Sequence, residues 1–168
     1  MGAMHRWRMP AAPSPSLRRR RKRLRRPGFD YNAPGAYFVT IMTWRSARVL
    51  GEILRGRMLL SPVGTIVQQV WHSIPAHRTG VRLDAFVVMP HHIHGIIVID
   101  EGCFTLGEIV NLFKAATTRA VNRERGTPGF LFWQRGFHDR IIRDDVAWVR
   151  IARYIDDNPR RWRKGPSS

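Results

Sequence analysis

Residues 82–99 read RLDAFVVMPHHIHGIIVI, and the fold turns on how this stretch divides. Two apolar, β-rich runs, residues 82–89 and 93–99, are split only by Pro90-His91-His92. Short apolar runs broken by a proline predict strands. Their near-continuous hydrophobicity requires burial on both faces, which puts the pair at the centre of a sheet.

Working outward, residues 36–44 (AYFVTIMTW) are β-branched and aromatic and follow the turn-like Asn32-Ala33-Pro34-Gly35, so they predict another strand. Residues 59–74 place Val63, Ile66, Val67, Val70, Trp71 and Ile74 at helical spacing, with Ser61 as N-cap and Pro62 in the first turn. Thr105-Leu106-Gly107-Glu108 matches a capping box and opens a second helix to about Arg125, which Gly126-Thr127-Pro128-Gly129 ends. Residues 137–143 alternate as a strand. Asp144-Asp145 begins a third helix, expected to stop near Asn158 because Pro159 follows. There is no internal repeat. The order of elements predicts an α/β (α+β) sandwich of ferredoxin-like, RRM-like kind, with a mainly antiparallel sheet and helices on one side.

A chain of 168 residues can bury one real core and is short for two ordinary domains. Lys and Arg number 29 against 12 Asp and Glu, for a formal charge of +17. An excess of that size points to a polyanionic partner, with nucleic acid first. No apolar run approaches the roughly 20 residues of a spanning helix, so no membrane partner is expected. Residues 9–17 hold three prolines and no apolar core of signal-peptide length. Cys103 is the single cysteine, which excludes an internal disulfide and a cysteine-based zinc site and suits a reducing cytoplasm. Residues 18–26 (RRRRKRLRR) carry eight basic side chains in nine positions, so residues 1–26 read as a disordered basic arm. A solvated tail, or a translation start at Met4 or Met9, is the competing account of the arm. Without those eight charges the rest of the chain still carries +9, and the body itself should attract polyanions.

His92-Ile93-His94 is the sharpest local feature, because strand residues two apart point to the same face and can offer two imidazoles to one metal ion. The same pair is equally at home as satisfied polar residues at a strand start. A histidine-triad nucleotide hydrolase would need a third histidine where Ile96 stands, and a two-histidine phosphodiesterase would need His-x-Thr/Ser twice, where the chain has it once, at His77-Arg78-Thr79. A third class pairs the His-hydrophobic-His strand with a nucleophilic tyrosine further along. Of Tyr31, Tyr37 and Tyr154, only Tyr154 follows the histidines. Asn158 comes four residues later, on the same helical face, where its amide oxygen can join a metal site beside the phenol. Spacing alone leaves two readings open, since Tyr154 can also pack in the core with Ala147 and Ile151 while Asn158 caps the helix.

These blocks, in this order, resemble the HUH single-tyrosine transposases, and among them the REP-associated tyrosine transposases of bacteria. The resemblance is carried by Pro27-Gly28-Phe29-Asp30-Tyr31, by residues 36–41 (AYFVTI) and above all by residues 87–97 (VVMPHHIHGII). It continues through Phe113-Lys114, Trp133-Gln134-Arg135, Ile141-Ile142-Arg143 and Tyr154-Ile155-Asp156-Asp157-Asn158-Pro159. The chain departs from the pattern at His91, where the family usually has Asn, and at His138, where a tyrosine is common.

The resemblance implies a catalytic domain over residues 27–163, with residues 164–168 as a tail. It implies His92 and His94 as ligands of Mg²⁺ or Mn²⁺, Asn158 as third protein ligand and Tyr154 as nucleophile. It further implies a metal-dependent enzyme that cuts and rejoins single-stranded DNA at hairpin-forming repeats through a 5′-phosphotyrosine, leaving a 3′ hydroxyl for resealing without ATP. A bacterial cytoplasmic, nucleoid-associated protein is implied, as monomer or homodimer. The chemistry suits the residue types: a free phenol ionises near pH 10 and needs activation, and a divalent ion stabilises charge on the phosphate under attack. For DNA contact the candidates are Arg18, Arg19, Arg20, Arg21, Lys22 and Arg23 in the arm, Lys114 on the second helix, and Trp133, Gln134 and Arg135, with Trp133 as a stacking surface for an unpaired base. Two rivals remain: a non-catalytic nucleic-acid-binding module on the same frame, although Arg135-Gly136-Phe137 matches only the first three residues of the strand motif of RNA-recognition modules and His138-Asp139 breaks its continuation, and a domesticated nickase.

Overall fold

The computed structural model of the chain describes residues 34–101 and 104–162. The histidine stretch forms a tight antiparallel hairpin: β4 (Val81–Met89) turns through Pro90-His91 into β5 (His92–Ile99), with Met89 opposite His92. β1 (Gly35–Met42) pairs antiparallel with β5 on one side and with β6 (His138–Ile142) on the other. The sheet order is therefore β4-β5-β1-β6, antiparallel throughout, the arrangement expected of a ferredoxin-like frame. As predicted, β5 is central and buried along nearly its whole length.

Strand alternation splits the core in two. Tyr37, Val39 and Ile41 of β1 and Ile93, Ile97 and Ile99 of β5 face one side. There they meet α1 (Pro62–His72) through Val63, Val67 and Trp71, and α3 (Leu106–Arg125) through Ile109, Val110 and Phe113. Ala36, Ile96 and Ile142 face the other side and pack on Ile151 and Ile155 of α4 (Asp145–Arg161). Helices thus lie on both faces. The expectation of helices on one side holds for α1 and α3, whereas α4 crosses the opposite face because its apolar stripe matches the even-numbered residues of β5.

Helix starts follow the residues predicted. Ser61 Oγ accepts from Gly64 N at 3.0 Å with Pro62 at the first position, and Thr105 and Glu108 form both halves of a capping box. α1 ends at His72, earlier than expected, and a four-residue helix α2 (Ile74–His77) follows with Pro75 in its first turn. α4 runs three residues past Asn158 with Pro159 inside it, so the helix does not stop where the proline predicted. In a last turn the missing N–H costs one hydrogen bond at most, and Asp157 pairs with Arg161 at 3.3 Å across that turn. A hairpin of β2 (Gly51–Leu54) and β3 (Arg57–Leu60) was not foreseen; its Arg55-Gly56 turn takes positive φ at both residues, the geometry of the tightest hairpin turns.

Candidate active site

The His92-His94 pair projects from β5 on the α4 side of the sheet. The β4–β5 turn that precedes it is tied down by its carbonyls: His91 O accepts from Thr43 N and Thr43 Oγ1, both at 2.9 Å, and Pro90 O accepts from Leu50 N at 3.1 Å. His92 and His94 are 8% and 6% exposed, and their Nε2 atoms stand 3.1 Å apart. His94 Nδ1 is 2.8 Å from Thr40 Oγ1, its cross-strand neighbour on β1. His92 Nδ1 is buried with no hydrogen-bond partner among the described residues.

Both imidazoles are neutral at pH 7. Burial, reinforced by His94 and His91, pushes His92 down to about 3, and burial with the nearby His91 pushes His94 down to about 4. Neutral imidazoles with lone pairs brought together are what a metal ion needs. Among the described residues no three His, Cys, Asp or Glu side chains cluster as a metal site, so further ligands would come from an amide, a phosphate or water.

Tyr154 stands over this pair. Its ring centroid lies 5.5 Å from that of His94 and 6.1 Å, edge-on, from Phe38, which in turn lies 5.2 Å from His94. At 42% exposure Tyr154 is not a core residue; Ile151 and Ile155 fill that role. Two helical turns on, Trp162 places its indole 5.2 Å from His91 and 6.2 Å from His92. Asn158 lies midway along the same side of α4, half-buried, between the residue that meets His94 and the one that meets His92. α4 thus sets Tyr154 beside His94, with Asn158 one turn further along.

A family model described as transposase IS200 like matches residues 44–158, which spans the histidines, Tyr154 and Asn158. The chain belongs to the IS200-like transposase family. It is therefore a member of a group of DNA-processing enzymes. It is 33% identical over 163 residues to an uncharacterized protein of Haemophilus influenzae, covering 84% of this chain and 89% of the relative. The fold is similar to that of a REP-associated tyrosine transposase solved bound to a REP hairpin, with a TM-score of 0.58 and 22% identity over 75% of this chain and 67% of that one. It is also similar to a candidate transposase from Deinococcus radiodurans R1, with a TM-score of 0.52 and 17% identity over 79% of this chain and 95% of that one.

The IS200-like fold separates the expected DNA contacts. Trp133 is a correction: only 5% exposed, it donates Nε1–H to Thr117 Oγ1 at 2.7 Å and packs against Phe113 and Phe132, so its ring is committed to the core and closed to a base. Lys114 Nζ donates to Gln134 O at 2.7 Å and Gly136 O at 3.0 Å. It clamps the 134–136 loop, and its partial burial lowers its pKa. Gln134 N bonds Met42 O at 2.9 Å, which holds this loop at the histidine end of the sheet, where Arg135 is exposed. Residues 18–23 lie outside the described residues. Sequence reading missed Thr40, Phe38, Trp162 and the exposed Arg150 and Arg153 beside Tyr154. The eight-residue step from Tyr154 to Trp162 was a usable signal; the cross-strand partners of His94 had none.

Among the described residues no helix is long and apolar enough to cross a membrane.

Proposed function

We propose that this protein is a metal-dependent endonuclease and strand transferase for single-stranded DNA, with Tyr154 as its nucleophile. The observation that carries the reading is the exposed phenol ring 5.5 Å from His94, itself joined through Nε2 to His92. The phenol oxygen would attack a backbone phosphorus in line. The P–O bond to the 3′ oxygen breaks, the phenol proton passes to solvent, and the leaving oxygen takes up a proton to become a free 3′ hydroxyl. The 5′ phosphate stays on Tyr154 as a diester, so the bond's energy is kept and attack by a 3′ hydroxyl reverses the step.

The residues fit Mg²⁺ or Mn²⁺. Two neutral imidazole nitrogens 3.1 Å apart match neighbouring corners of an octahedron with ligands about 2.1 Å from the ion. His92 and His94 would hold the ion with Asn158 as third protein ligand. When bound it polarises the phosphate and offsets charge in the transition state. Phe38 packs beside His94 and limits where its ring can turn.

The relative solved with a REP hairpin makes hairpin-forming single strands the substrate class to expect. A concave surface on α4 is lined by Tyr154, Arg150, Arg153 and Arg161 together with Asp145, Val146 and Val149, and its three arginines can hold a phosphodiester backbone. The test uses end-labelled hairpin oligonucleotides with and without Mn²⁺. The reading expects cleavage only with metal, a 3′ end that a polymerase can extend, and a 5′ side retained by protein. Binding without cleavage on every strand offered, or products with free 5′ phosphates from the outset, contradicts it.

A further inference from the structure

Thr40 sits in mid β1, opposite His94 in one register and His138 in the other. Its hydroxyl heads a chain of contacts: Thr40 Oγ1 to His94 Nδ1 at 2.8 Å, then His94 Nε2 to His92 Nε2 at 3.1 Å. A cation held by both Nε2 atoms needs both lone pairs, so each ring then carries its proton on Nδ1, and His94 Nδ1–H donates to Thr40 Oγ1.

His92 Nδ1 is buried and unpartnered among the described residues. The hydroxyl of Thr40 is therefore the partner that one of the two rings has on its second nitrogen among the described residues. We propose that Thr40 is a positioning residue for the metal centre: by accepting the proton of His94 Nδ1 it fixes the tautomer whose Nε2 lone pair is available to a divalent cation. Histidine ligands generally need such a partner on their second nitrogen. Phe38, with its ring tilted 32° to His94 at 5.2 Å, restrains the ring plane but cannot choose the tautomer, and the hydroxyl does. The proposal rests on the metal reading of His92 and His94.

The test compares wild type with Thr40→Val, which keeps the β-branch and loses the hydroxyl, and Thr40→Ser, which keeps the hydroxyl. Long-range ¹H–¹⁵N spectra of the metal-free full chain read the tautomer directly, with His94→Gln identifying the resonance. Wild type and Thr40→Ser should show His94 protonated at Nδ1, and Thr40→Val should shift toward Nε2–H. In Mn²⁺ titrations followed by electron paramagnetic resonance, Thr40→Val should bind about 10- to 100-fold more weakly, and Thr40→Ser close to wild type. His94 protonated at Nε2 in wild type, or equal Mn²⁺ affinity in the Val and Ser variants, overturns the proposal. A wild type that binds no Mn²⁺ refutes the metal reading instead, and the wild-type spectrum still decides the role of Thr40 even if Thr40→Val fails to fold.

Discussion

His92 and His94 are buried side by side, a costly position for groups that ionise near neutrality in water. Their pKa values of about 3 and 4, against an ordinary 6.5, link that cost to pH. Between pH 6.5 and about 4 the unfolded chain takes up protons that the folded chain refuses, so stability from this pair is complete above pH 6.5 and is lost as pH falls through the window. The metal-free protein should therefore melt at progressively lower temperature from pH 7 to pH 5, and a His94→Gln variant should lose less over the same interval; parallel melting curves would refute the assignment. Residues of this kind were partly legible. His-x-His parity on a strand and the Tyr154–Asn158 step on a helix are local periodicities, which any strand or helix obeys. Thr40 was invisible because its role depends on the register of β1 against β5, and Trp133 was misread because nothing local tells an indole in the core from one at the surface.

At the scale of elements, the β4–β5 hairpin serves both cores at once. Its even positions carry the histidines, while Gly95, the residue after His94, turns to the other face, where an added Cβ would lie 2.3 Å from Trp71 Cζ2. That indole cannot give way, being stacked on Phe86 at 4.6 Å and met edge-on by Phe113 at 5.4 Å. Gly95→Ala should destabilise the fold by about 1–3 kcal/mol in denaturant titrations, as overpacked cores do; an unchanged midpoint would show that the α1 face is softer than its packing implies. The central strands, the capping box and the helix-opening Ser61-Pro62 were readable because their signals are short-range. The β2–β3 hairpin was missed because Arg55-Gly56 is a weak turn signal beside Asn-Gly. The face chosen by α4 was missed because it depends on which half of an alternating strand still lacks cover once α1 and α3 are in place.

For the whole molecule, the formal charge of +17 sets a field that favours any nucleic acid, and α4 adds exposed arginines beside Tyr154. The apolar stripe of Ile151 and Ile155 faces the sheet, and Arg150 and Arg153 stay exposed on Tyr154's outer side. An Arg150→Ala, Arg153→Ala double variant should bind single strands more weakly, with the slope of log affinity against log salt shallower by about 1.4, the share of two phosphate contacts. An unchanged slope would place the strand elsewhere. The family is legible from the order of blocks across the chain; the grouping of Arg150 and Arg153 with Tyr154 becomes visible only once α4 is placed.

The claim on which the rest depends is that Tyr154 carries the DNA. Trypsin should release residues 154–160 as YIDDNPR, a peptide with a single tyrosine, well separated from Tyr31 and Tyr37. The most direct measurement is mass spectrometry of the denatured, nuclease-trimmed and trypsinised protein–DNA adduct formed with Mn²⁺. The account predicts a nucleotide mass on that peptide, located on the phenol and absent from Tyr154→Phe. A nucleotide on any other residue, or an adduct that persists in Tyr154→Phe, would contradict it.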